Sequence, residues 1–169
     1  MNIAKISIPL LVSIFFSLSS YATGFQMPFS WAERENGSAA VIYTSDYDND
    51  PKYFESEIGH SRSGQQGIYF RNYYVEDMNT CSYESSLPKN ATMIFSGQAV
   101  KMLIWCKKFS DTDRYYLELT PATERGDNYV INLFKVAILP IEIMYDNETI
   151  SFPVTGFTKA WNSAGGNAI

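Results

Sequence analysis

Residues 91 to 106 read ATMIFSGQAVKMLIWC, and this stretch decides the fold class. Two apolar runs, Ala91 to Phe95 and Ala99 to Cys106, flank Ser96-Gly97-Gln98, a three-residue connection whose glycine suits a bulged hairpin. The second run carries Cys106 towards a strand end. Outward from this hairpin the pattern repeats. Downstream, Tyr115 to Thr120 (YYLELT) and Asn128 to Leu139 (NYVINLFKVAIL) lie on either side of the turn formers Pro121 to Asp127, which predicts a second hairpin. Ile141 to Tyr145 and Thr149 to Val154 alternate on both sides of Asp146-Asn147, which predicts a third. Upstream, Ala39 to Thr44 (AAVIYT) and Gly67 to Val75 (GIYFRNYYV) are rich in β-branched and aromatic residues and bounded by Gly, Ser, Asp and Asn. The fold class that follows is mainly β: an antiparallel β-sandwich or small barrel with one or two short helices and one disulfide.

Two segments read as helix. Asp50-Pro51 before KYFESEI offers a carboxylate for the free amides of a first turn and a proline for its first position, and Phe54 and Ile58 would then share a face. A second short helix is expected over Phe157 to Trp161, after Gly156. Ser163 to Ile169 has no periodicity and is expected to fray.

The amino terminus carries an address. Lys5 precedes an apolar run from Ile6 to Leu18, and Ser20 and Ala22 place small residues before a cut expected after Ala22, the layout of a secretory signal peptide. The run is shorter than the roughly 20 residues a spanning helix needs. The expected organisation is a signal peptide over residues 1–22, one β-rich domain over 23–162 and a flexible tail over 163–169, in a periplasmic or secreted protein. An oxidising compartment favours a disulfide between Cys81 and Cys106, the only two cysteines. Closing a loop of roughly 25 residues is worth about 3 kcal/mol in chain-entropy terms.

Thirteen basic and eighteen acidic residues give a net charge of -5, which offers no basic field to a phosphate backbone and excludes nucleic acid as the expected partner. One histidine and two cysteines remove most of the residues from which zinc sites and Cys/His dyads are built, and no cofactor is expected. His60, in the polar stretch EIGHSRS, is expected at the surface. No Gly-x-Ser-x-Gly elbow accompanies it.

Asp46, Asp48, Asp50 and Glu57 have the spacing of positions one, three, five and twelve of a calcium loop. Pro51 occupies the sixth position, where such loops need a glycine with positive φ, so an acidic turn capping a helix explains the same residues. Glu118, within alternating YYLELT, is a conceivable catalytic acid that more simply faces solvent. Arg125-Gly126-Asp127 reads as part of a hairpin turn. Asn36, Asn90 and Asn147 head glycosylation sequons in expected turns, which matter only in a eukaryotic source.

Aromatic residues make up 15% of the chain, and adjacent pairs such as Tyr73-Tyr74 cannot both face a core, because strand neighbours point to opposite sides. Tyr69, Tyr73, Tyr74, Tyr115 and Tyr116 are therefore the candidate binding face. The functional expectation is an exported, non-enzymatic interaction domain, such as an inhibitor or immunity-type protein that blocks a basic protein partner by steric occlusion. The alternative is a carbohydrate-binding or carbohydrate-cleaving protein that uses exposed aromatics and a carboxylate pair.

Overall fold

The computed structural model describes residues 30–34, 37–45, 51–73 and 81–167. The signal peptide, Asn36, Asp46, Asp48, Asp50 and Tyr74 lie outside these residues. Within them the elements run β1 (Ala32–Arg34), β2 (Gly37–Ser45), β3 (Pro51–His60), β4 (Gln66–Asn72), β5 (Lys89–Phe95), β6 (Gln98–Lys108), β7 (Tyr115–Pro121), α1 (Glu124–Val136), β8 (Ile141–Tyr145), β9 (Glu148–Phe152) and α2 (Phe157–Ser163). The strands form one sheet in the order β1-β2-β3-β4-β7-β6-β5-β8-β9, and every neighbouring pair is antiparallel. The sheet curls into a half-barrel that brings β2 against β9, so the mainly β class expected from the sequence is what the chain adopts.

Alternation sorts the side chains. Phe54 and Ile58 from β3, Ile68 and Phe70 from β4, Leu117 and Leu119 from β7, and Val100, Met102 and Ile104 from β6 share one face and are buried. The helices cover that face. α1 contributes Val130, Ile131 and Phe134, and α2 contributes Phe157 and Ala160, to the same core. Trp31 closes it: its ring meets Phe134 and Phe157 edge-on, and its Nε1 donates to the Pro153 carbonyl at 2.8 Å.

Two expected elements are of the other type. The helix expected from Asp50-Pro51 is strand β3, with Phe54, Ser56 and Ile58 buried towards the core and Glu55 and Glu57 on the opposite face. A spacing of four residues fits one face of a helix and one face of a strand alike, so Phe54 and Ile58 could not decide between them. Pairing on both sides, with β2 and β4, decides for the strand, and Pro51 sits at its first residue, where a missing N–H is tolerated.

The strand expected over Asn128 to Leu139 is most of helix α1, and Pro121 to Asp127 is the approach to that helix and its first turn, not a hairpin turn. Thr123 caps it by accepting from the Gly126 N–H at 3.1 Å, Glu124 and Asp127 place acid in the first turn, and Lys135 places base in the last. Buried Val130, Ile131 and Phe134 recur at helical spacing.

The hairpin turns are tighter than expected. Phe95 pairs with Gln98, so Ser96 and Gly97 alone make the β5–β6 turn, both with positive φ, as a type I′ geometry requires. Asp146 and Asn147 do the same between β8 and β9. The Cys81–Cys106 disulfide is formed. Helix α2 falls where a short helix was expected. After it, Gly166 and Asn167 hydrogen-bond Gln66, and Gly166 also accepts from His60, which ties these two residues to the end of the β3–β4 hairpin.

Candidate functional site

The strand face turned away from the helices carries a row of four side-chain positions directly opposite one another. Glu55 on β3 pairs with Arg71 on β4, Arg71 with Glu118 on β7, and Glu118 with Trp105 on β6. Arg71 is the hub. Its Nε lies 3.1 Å from Glu118 Oε2, one Nη lies 3.7 Å from Glu55, and the same Nη forms a close ion pair with Glu57. Tyr73 donates its hydroxyl to Glu55 at 2.5 Å.

Among the described residues, three carboxylates surround this one guanidinium. Burial raises the Glu57 pKa, and the neighbouring Glu55 adds to the rise against the opposing pull of Arg71. Burial works against the Arg71 cation, but Glu57, Tyr73 and Glu118 outweigh it and hold its pKa above the usual value. Tyr69, Tyr73 and Tyr116 are all raised, by burial first and then by nearby glutamates, so their hydroxyls stay neutral donors.

Above this row lies a groove of about 930 Å³. Its floor is Glu57, Tyr69, Arg71, Trp105, Lys107, Glu118 and Thr120. One wall is the chain from Glu84 to Pro88, which the disulfide at Cys81 and two hydrogen bonds between Ser85 and Cys106 fasten to β6. His60, Ser61 and Arg62 close one end.

Tyr69 comes close to the strand backbone for a reason written in the sequence. Gly59 and Gly67 pair across β3 and β4, and a Cβ on Gly59 would stand 3.5 Å from the Tyr69 ring. Two residues without side chains let the ring lie against the backbone, a known way to cover strand glycines with an aromatic. The Cδ2–Cε2 edge of the ring is the part that approaches the glycines, and the residue lines the groove.

Beyond Arg71, Tyr73, Phe109 and Tyr116 form an aromatic triad with ring centroids 4.9 to 5.5 Å apart. With Asp111, Thr112 and Arg114, Tyr73 and Phe109 border a shallow hollow of about 350 Å³.

Of the candidate face, Tyr69, Tyr73 and Tyr116 share this side of the sheet, whereas Tyr115 packs against the core on the other. Glu118, expected in solvent, is half-buried in its pair with Arg71. Glu57 belongs to the same cluster. His60 is exposed, and its Nε2–H donates to the Gly166 carbonyl at 2.7 Å. Asn90 lies in strand β5 and Asn147 in its turn, and Arg125-Gly126-Asp127 opens α1.

Sequence reasoning missed Arg71, Glu55, Lys107, Phe109 and the wall at Glu84–Pro88. The alternation of Tyr69, Arg71 and Tyr73 in GIYFRNYYV was a signal for Arg71. Among the described residues, no cluster of His, Cys, Asp and Glu is placed to hold a metal ion, and no helix is long and apolar enough to cross a membrane. No protein family, curated protein or solved structure matches the chain.

Proposed function

We propose that the chain is an exported, non-enzymatic binding protein whose groove takes a neutral saccharide. The observation that carries this reading is the Tyr69 ring beside its glycine pair, set with the Arg71 row and Trp105 in a concave site. Sugars present apolar C–H faces that stack on such rings and equatorial hydroxyls that pair with fixed carboxylates and guanidinium groups. The volume falls in the range of roughly 300 to 1,000 Å³ common for small-ligand sites, whereas steric occlusion of a protein calls for a broad flat area. Charge supports a neutral ligand, because Glu57, Glu84 and Glu118 face Arg62, Arg71 and Lys107 in the groove. Export is supported by the disulfide.

The carboxylate pair supports binding over cleavage. Glu57 and Glu118 both hold Arg71, so neither is free to give a proton or attack without losing its counter-ion. Screening the disulfide-bonded protein against a saccharide array, followed by calorimetric titration, should show binding that Tyr69→Ala weakens roughly tenfold. Absence of binding to any saccharide, or release of shortened products that Glu57→Gln abolishes, overturns the reading.

One observation favours a protein partner elsewhere on the surface. At the end of α1 and in the loop to β8 the chain exposes Val136, Ile138 and Leu139, with Ile138 at 92%. A protein contact, if the chain makes one, belongs at this apolar loop and not at the groove. Ile138→Ser with Leu139→Ser should then abolish co-purification of the partner while leaving saccharide binding intact.

A further inference from the structure

We infer that the groove and the hollow at Phe109 are two ends of one trough, so that the ligand is a linear chain of several sugar rings and not a monosaccharide or disaccharide. The inference rests on the saccharide reading above and adds the length of the ligand and a second subsite.

Strand alternation places Tyr69, Arg71 and Tyr73 on one face of β4 or its immediate end. Four residues of strand separate the two tyrosines by about 13 Å, too far for one pyranose ring to reach both. The neighbouring strands keep the same line. Glu118 and Tyr116 alternate on β7, and Trp105 and Lys107 sit opposite them on β6. One end of the line is therefore the Tyr69 ring, its middle is the Arg71–Glu118 pair, and its other end is the Tyr73–Phe109–Tyr116 triad.

The far end is built to be rigid. Its bond to Glu55 fixes the Tyr73 hydroxyl, and contact with Phe109 and Tyr116 fixes the ring plane. Asp111 and Arg114, both exposed at the rim of the hollow, supply an acceptor and donors for hydroxyl groups. A trough that follows strands is straight, and an extended, equatorially linked chain matches it better than a coiled one. The class is thus a β-1,4-linked neutral oligosaccharide, stacked at each end and hydrogen-bonded at the centre.

The test is calorimetric titration of the disulfide-bonded protein with β-1,4-linked oligomers of glucose and of N-acetylglucosamine, from one to six rings. Affinity in at least one series should rise by at least about tenfold between the dimer and the tetramer or longer chains, the scale of one added aromatic contact. Phe109→Ala should remove that gain and leave dimer affinity unchanged, which also reports that the variant is folded. If Phe109→Ala does not fold, Thr112→Trp, which fills the hollow from an exposed position, should reduce hexamer affinity to that of the dimer. Equal affinity for dimer and hexamer in the unmodified protein, or a variant that weakens all lengths alike, overturns the trough while sparing the groove. Failure of both series at every length overturns the saccharide reading together with it.

Discussion

Arg71 is the residue on which the outer face depends. Removing its charge leaves Glu55, Glu57 and Glu118 close together without the guanidinium that touches all three. Arg71→Met should cost about 2 to 3 kcal/mol at pH 7 by urea unfolding, below the figure for a fully buried pair because the side chain keeps some solvent. The deficit should shrink at pH 4.5, where the crowded carboxylates take up protons. A loss equal at both pH values would mean that packing, and not charge, holds the cluster. Asp127 has the opposite character. Burial alone raises its pKa from 3.8 to about 6. A carboxyl raised in the folded chain favours folding most below its unfolded pKa, and that contribution is lost as pH climbs from about 4 through 6. Asp127→Asn should therefore match the parent near pH 4 and exceed it by about 1 kcal/mol at pH 7, after discounting for its partial exposure. A constant offset across this range would contradict the assignment. Neither effect was legible from residue type, because Arg71 and Asp127 acquire their roles only from partners or burial that the fold supplies.

At the scale of elements, the hairpins β5–β6 and β8–β9 were legible because both signals are local: alternation in the arms and residues that tolerate positive φ in the turn. The disulfide was legible from the cysteine count. Helix α1 was not, because NYVINLFKVAIL is dense in apolar residues and density obscures period. The discriminating signs lay at its ends, in Thr123 with Glu124 and Asp127 behind it and Lys135 before the close. Thr123→Ala should remove the cap to Gly126 and lower stability by about 1 kcal/mol, with Thr123→Asn close to neutral. Strand β3 was misread for the reverse reason: a proline after an aspartate is a strong local cue, and pairing with two distant strands overrode it. The candidate site was half legible. Alternation showed that adjacent tyrosines must point to opposite sides without saying which point outward, and only strand order could show that β7 lies between β4 and β6 and brings Glu118 to Arg71.

Across the described residues, the two sides of the sheet carry different sets of aromatic side chains. Phe95, Phe134, Phe152 and Phe157 are fully buried with the helices, whereas Tyr69, Tyr73, Tyr116 and Trp105, which carry polar atoms, occupy the opposite face. The sheet is thus a partition with a dry side that holds the fold and a wet side available for recognition. The disulfide spans the two functions, because Cys81 and Cys106 are buried while the chain they tether forms the groove wall. With both cysteines reduced, that wall would lose its covalent anchor and rest on non-covalent contacts such as the Ser85 hydrogen bonds. On the saccharide reading proposed above, the reduced chain should accordingly bind more weakly than the oxidised one, so that ligand capture would wait on formation of the Cys81–Cys106 bond.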